Sequence, residues 1–79
     1  MRVTYLDNDG GEELFYEDRE DIIELLAILN SNGKINLRWL EDKSYVLAKF
    51  DEAILDIAID SNGEKVEVLL IYFDVQHSK

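Results

Sequence analysis

The sequence contains no cysteine, no proline and only one histidine among its 79 residues. Without cysteine, neither a disulfide nor a thiolate zinc site can support so small a domain, and apolar packing must hold its core. The histidine, His77, lies in a polar segment near the end of the sequence, and we do not expect it to act as a catalytic base. No apolar run is long enough to span a bilayer, and the start does not resemble a signal peptide, so we expect a cytoplasmic protein.

Motifs for catalysis or cofactor binding are also missing. No serine lies in a nucleophile elbow, and no glycine-rich phosphate loop joins a strand to a helix. The segment that begins at Asp7 resembles a calcium loop, but Gly11 and Glu12 occupy the fifth and sixth positions, where a ligand and a glycine are needed. We therefore expect a protein that is not an enzyme and that uses no cofactor and no metal ion.

The net charge is strongly negative, because 18 acidic residues oppose eight basic ones and leave −10. Such a surface repels nucleic-acid phosphates and anionic membranes and attracts basic surfaces. We therefore expect a basic protein partner, with no direct binding to nucleic acid or membranes. An alternative stays open, because acidic surfaces also keep small proteins soluble without any partner.

The acidic residues are concentrated in the first quarter of the chain. Residues 1–21 contain eight acids and two bases, a net charge of −6. The pattern predicts one acidic lobe, formed by a hairpin turn, the second strand and a helix N-terminus. Like charge along that strand could also protect a sheet edge from strand addition. The predicted partner-binding residues of this lobe are Asp7, Asp9, Glu12, Glu13, Glu17 and Glu20.

The strongest structural signal is Asn62-Gly63, which favours a two-residue type I′ turn between two strands. This turn predicts that Asp60 lies opposite Lys65. The register places one aliphatic set toward a helix: Leu55, Ile57, Ile59, Val66, Val68 and Leu70. A second strip then emerges on the other face and needs a cover, which a homodimer partner, a binding target or the N-terminal hairpin folding over it could supply. That strip consists of Ile54, Leu69, Ile71 and Phe73.

The remaining elements follow from periodicity and turn residues. A helix is predicted over Arg19–Asn30, with Asp18 as its N-cap and with Asn32 or Gly33 as a left-handed C-cap. Its inward positions are Ile22, Leu25, Leu26 and Leu29. Strands are predicted over Arg2–Asp7, Glu12–Tyr16, Lys34–Leu40 and Ser44–Phe50, with a turn at Asp51-Glu52 before the final hairpin.

These elements predict one α+β domain over residues 1–79, in which residues 74–79 form a frayed tail. A single helix packs on an antiparallel sheet, in the order ββαββββ. A β-grasp, ubiquitin-like fold starts in the same way and has the same length. It ranks second, because consecutive hairpins rather than a long crossover follow the helix.

The segment IAIDSNGEKVEVLL, residues 57–70, resembles the final hairpin of the small acidic uracil-DNA glycosylase inhibitors of phages. The shared core is Asp60–Glu64 with apolar flanks, and the chain otherwise departs from that family by opening with a hairpin instead of a helix. Small nuclease-immunity proteins and phage inhibitors are also similar in size and charge. We expect an immunity protein or DNA-mimicking inhibitor that binds a basic nuclease or nucleic-acid-binding enzyme. The alternative is a small self-associating structural or regulatory subunit.

Overall fold

The computed structural model describes residues 1–31 and 33–76. Within these residues the chain forms one helix and five strands, in a mixed sheet of order β2-β1-β5-β4-β3. The α+β class with a helix against a sheet is confirmed, whereas the predicted strand order and antiparallel character match only in part. The elements are β1 (Arg2–Asp7), β2 (Glu13–Asp18), α1 (Ile22–Asn30), β3 (Lys34–Trp39), β4 (Ser44–Ile59) and β5 (Lys65–Gln76).

The centre of the sheet is a parallel pair that the sequence did not predict. Strand β1 runs alongside β5, from Arg2 beside Val68 to Asp7 beside Phe73. The β1–β2, β3–β4 and β4–β5 pairs are antiparallel, so hairpins do follow one another after the helix. The first and last strands thus form the middle of the sheet.

Strand β4 is much longer than predicted, because the expected turn at Asp51-Glu52 is absent. The register shifts between Phe50 and Glu52, which is the pattern of a β-bulge. A bulge absorbs one extra residue without ending the strand, so one strand replaces the two predicted ones. Residues 74–76 belong to β5 instead of a frayed tail, and residues 77–79, including His77, lie outside the described residues.

The β4–β5 loop contains three residues instead of two. The Asp60 N–H donates to the Glu64 carbonyl at 2.8 Å, the Gly63 N–H donates to the Asp60 carbonyl at 3.1 Å, and Gly63 has φ +81°. The Asp60 carboxylate also accepts the N–H groups of Asn62 and Glu64, both at 2.9 Å. These bonds stabilise a loop that places Ile59, rather than Asp60, opposite Lys65.

This one-residue difference in register exchanges the faces of β5. Leu69, Ile71 and Phe73 were predicted to emerge from the uncovered face, but they are buried in the core. Val66, predicted to face the helix, is 64% exposed. Of the expected uncovered strip, only Ile54 is exposed.

The core lies between α1 and the middle of the sheet. Tyr5 is at its centre, where its ring stacks on Phe15 at 4.2 Å and on Phe73 at 5.8 Å between ring centroids. Helix α1 supplies Leu25 and Leu29, as predicted. The buried hydrophobic cluster comprises Val3, Tyr5, Leu25, Leu29, Ala48, Leu69, Ile71 and Phe73.

Helix α1 begins at Ile22, three residues after the predicted start. Arg19 cannot join it, because its N–H donates to the Met1 carbonyl at 2.9 Å and its carbonyl accepts the Met1 amino group at 3.0 Å. Asp18, the predicted N-cap, instead pairs with Arg2 at the end of β2. Gly33 does not have positive φ and is not a left-handed cap, and Asn32 lies outside the described residues.

Candidate binding surfaces

The β1–β2 turn holds the first group of predicted binding residues. Asp7 is 5% exposed, and its Oδ1 accepts the Asp9 N–H at 2.9 Å. The Asp7 main chain closes the turn, with its N–H bonded to the Glu12 carbonyl and its carbonyl bonded to the Gly11 N–H. Asp7 therefore organises the turn, while Asp9, Glu12 and Glu13 present exposed side chains.

Glu17 lies at the opposite end of β2 and is engaged within the protein. Its Oε2 accepts the Tyr5 hydroxyl at 2.5 Å and the Arg19 Nη1 at 3.2 Å. Arg19 also makes two hydrogen bonds to Asp21, of 2.8 and 2.6 Å. The negative charge of Glu17 is thus partly neutralised by a neighbouring guanidinium, and Glu17 is not a freely presented carboxylate.

These contacts shift several titrations. Burial, and then the hydrogen bond to Glu17, raises the pKa of Tyr5 to about 12. The hydrogen bond from Arg19 lowers the pKa of Asp21, and the same contact raises the pKa of Arg19. The Tyr5 hydroxyl therefore stays protonated at neutral pH and acts as a donor to Glu17.

The predicted acidic lobe is divided in two by this arrangement. Asp9, Glu12 and Glu13 lie at the turn, whereas Glu17 lies near the other end of β2 and Glu20 lies beyond it. Glu17 lies four positions after Glu13 along the strand, a distance of about 13 Å. This distance exceeds the screening length of about 8 Å at physiological ionic strength. The two groups act as separate patches rather than as one continuous field.

A second surface comes from the end of the β4–β5 hairpin, which we call the arm (residues 51–67). Strand β1 begins beside Val68, and β3 begins beside Lys49. Among the described residues, no third strand therefore flanks the arm between these positions. The molecule is elongated, with extents of 47 × 25 × 23 Å.

The arm exposes aliphatic side chains on both of its faces. Leu55, Ile57 and Ile59 share one face, where they are 51%, 46% and 70% exposed. Ile54 and Val66 are exposed on the other face. Single exposed apolar residues are ordinary, whereas several exposed apolar residues on one hairpin make that surface a candidate for interaction. Sequence reasoning missed this surface because it assigned the first face to the helix.

The arm is also acidic. It contains six acids and one lysine, a net charge of −5. Lys65 forms an exposed ion pair with Glu67 at 2.9 Å, and such pairs contribute little to stability. The acids therefore matter for the field around the arm more than for its folding. They are Asp51, Glu52, Asp56, Asp60, Glu64 and Glu67.

The β3–β4 turn forms a third exposed surface at an aromatic cluster. Trp39, Leu40 and Tyr45 are 43%, 82% and 54% exposed and line a shallow groove of about 300 Å³. In this turn, the hydroxyl and N–H of Ser44 donate to Asp42, and this lowers the pKa of Asp42. The alternation of apolar and polar residues in Lys34–Leu40 predicts that Trp39 faces inward together with Ile35 and Leu37, and the exposure of Trp39 contradicts this. Its exposure follows from the position of β3 at the sheet edge, which a strand pattern alone does not reveal.

Comparison with protein-family models, curated proteins and solved structures found no match. In the described part of the chain, no group of three or more histidine, aspartate or glutamate side chains is placed to hold a metal ion. No helix in that part is long and apolar enough to cross a membrane. Any function must therefore be inferred from the surfaces themselves.

Proposed function

We propose that this protein is not an enzyme but a small acidic inhibitor that binds a basic partner protein. The partner class is a nuclease or another nucleic-acid-binding enzyme, so that the protein acts as an immunity protein or a DNA mimic. The observation that carries this proposal is the arm, where uncovered aliphatic side chains and a net charge of −5 occur on one hairpin. Charge steers the encounter, and apolar burial holds the complex.

The acidic residues predicted from the sequence have two different roles in this proposal. Asp9, Glu12, Glu13 and Glu20 are exposed, and their carboxylates would attract the basic surface that otherwise binds phosphates. Asp7 and Glu17 act indirectly, since their hydrogen bonds fix the two ends of the β1–β2 hairpin. Removal of either should disturb the hairpin before it affects binding.

The test is capture from the native host with immobilised wild-type protein and with the arm variant Glu52→Lys, Asp56→Lys, Glu64→Lys. A matched control, Glu24→Lys, Glu41→Lys, Asp74→Lys, has the same net charge but changes exposed acids outside the arm. We expect wild type and control to retain a basic enzyme at about 50 mM salt and to lose it at about 500 mM. The arm variant should retain much less of it, and wild type should inhibit that enzyme in solution. Equal retention by both variants, or capture without inhibition, would contradict the proposal.

A second candidate function, a self-associating structural or regulatory subunit, is favoured by the two uncovered faces of the arm. The homodimer strip predicted from the sequence is reduced to Ile54, because Leu69, Ile71 and Phe73 are buried. Two copies that each carry −10 repel one another, so added salt should strengthen this association. Light scattering at low and high salt separates the two functions: a monomer in both conditions excludes the subunit.

A further inference from the structure

We propose that the outer edge of β4 in the arm binds an extended segment of the basic partner by strand addition. This inference rests on the proposed function and specifies which part of the partner the arm recognises. Among the described residues, β3 covers β4 only as far as Lys49, and no strand covers the outer edge from Ala53 to Ile59. An uncovered edge of this length presents a row of backbone donors and acceptors.

The loop determines which residues present those groups. The Asp60–Glu64 pair is hydrogen-bonded, with the Asp60 N–H donating at 2.8 Å. Hydrogen-bonded and non-hydrogen-bonded pairs alternate along an antiparallel ladder, so every second residue of β4 directs its N–H and C=O away from β5. From the observed register, the outward residues are Ala53, Leu55, Ile57 and Ile59. All four have apolar side chains, which lie on one face of the arm.

Most devices that protect a sheet edge are missing here. The chain has no proline, and the bulge of β4 is at Asp51, before the outward residues begin. The one lysine of the arm, Lys65, lies on β5 and not on the open edge. Acidic residues are the protection that remains, and they act selectively because they repel acidic strands and attract basic ones.

Charge decides whether this edge binds a second copy of the chain or a basic segment of the partner protein. A second copy would bring another arm of −5 beside the first, on a protein of −10. A basic segment would instead place its cations beside Glu52 and Asp56, which share the face opposite Leu55 and Ile57. The segment that fits best alternates basic and apolar residues, with the apolar residues beside Leu55 and Ile57 and the basic residues on the other face.

The probe is a blocked heptapeptide of alternating Lys and Val, and a Glu-Val heptapeptide is its control. NMR titration at low salt should show binding of the Lys-Val peptide alone. Amide exchange of Leu55, Ile57 and Ile59 should slow in the complex, because their N–H groups gain partners. Exchange of Ala58 should change little, since its N–H faces Val66 of β5 already.

A pair of substitutions tests the edge directly. Ile57→Pro removes one outward N–H, and proline is tolerated at edge positions where the N–H faces solvent. Ile57→Val keeps both the N–H and a β-branched aliphatic side chain. We expect Ile57→Pro to bind the Lys-Val peptide about tenfold more weakly, as loss of one hydrogen bond predicts, and Ile57→Val to bind as wild type does.

Three results would overturn the proposal. One is equal binding of the Lys-Val peptide to Ile57→Pro and to wild type. Another is binding of the Glu-Val peptide to wild type with the same affinity as the Lys-Val peptide. The third is slow exchange of Leu55 and Ile57 without peptide in a particle of dimer mass, which would assign the edge to a second copy. If the edge fails these tests but the arm variant still loses capture and inhibition, the proposed function stands and the partner binds another part of the arm. If the peptide binds as expected but no enzyme is inhibited, the edge stands and the inhibitory function is wrong.

Discussion

Gly33 joins α1 to β3 at a point where the structure leaves no room for a side chain. A Cβ at this position would lie 2.5 Å from the carbonyl oxygen of Ile28 and 2.5 Å from the Cα of Leu29. Both atoms belong to the backbone, so no rotamer change can relieve the contact. The Gly33 N–H and carbonyl are also held, by bonds of 2.9 Å to Leu29 and 3.2 Å to Phe50.

We therefore expect Gly33→Ala to strain the helix–strand junction and to weaken one of these hydrogen bonds. Overpacking costs about 1–3 kcal/mol, and a weakened hydrogen bond adds about 0.5–1.5 kcal/mol. The free energy of unfolding should fall by about 2–4 kcal/mol, a large part of the about 4–12 kcal/mol typical of a chain this size. At about 4–8 °C per kcal/mol, the melting temperature should fall by ~8–32 °C.

The assay is thermal unfolding followed by circular dichroism, with Gly63→Ala as the control. No atom lies within 4 Å of a Cβ at Gly63, so that variant bears only the cost of positive φ, about 1–2 kcal/mol. The expected order of stability is wild type, then Gly63→Ala, then Gly33→Ala. A melting temperature for Gly33→Ala at or above that of Gly63→Ala would refute the steric reasoning.

Three further substitutions, one of them with a matched control, test the loop, the core and the buried phenol. Gly63→Val should cost about 1–3 kcal/mol, because a β-branched residue is strained at positive φ, and an unchanged urea midpoint would contradict this. Leu25→Ala should cost about 2–5 kcal/mol, whereas Ile23→Ala, at a position 83% exposed, should stay within about 0.5 kcal/mol of wild type in the same urea titration. Because the pKa of Tyr5 is raised to about 12 by folding, its stabilising contribution is complete below about pH 10 and is lost as pH rises toward 12. Urea unfolding across this range should show a shallower decline for Tyr5→Phe than for wild type, and parallel declines would rule out this linkage.

The sequence predicted the individual helix and strands better than it predicted how the strands pair and which side chains face the core. Leu25 and Leu29 were assigned to the core correctly, because helical periodicity is a local signal. Asn62-Gly63 correctly indicated a hairpin, but its dipeptide fits loops of two and of three residues. The carboxylate of Asp60 favours the longer loop, and this interaction depends on the folded geometry of the loop. The resulting one-residue difference in register reversed the prediction of which β5 side chains face the core.

The candidate surfaces show the same limit. Acidic residues could be counted from the sequence, but the distance between Glu13 and Glu17 required the direction of β2. The open edge of β4 required two facts that no local pattern contains. These are the beginning of β3 beside Lys49 and the continuation of β4 through the bulge at Asp51. Pairing between distant strands, rather than local preference, creates that surface.

The parallel pair at the centre of the sheet has a consequence for how the chain folds during synthesis. It joins residues that are 66 positions apart, such as Arg2 and Val68. Both early hairpins can form soon after they leave the ribosome, but Val3 and Tyr5 have no core to enter until β5 follows. Closing so long a loop makes folding slow. Because synthesis adds about 5–20 residues per second, these side chains stay exposed to water for seconds before β5 is made. The emergence of the last strand therefore commits the chain to its fold, and chaperone binding to the nascent chain should end at that point.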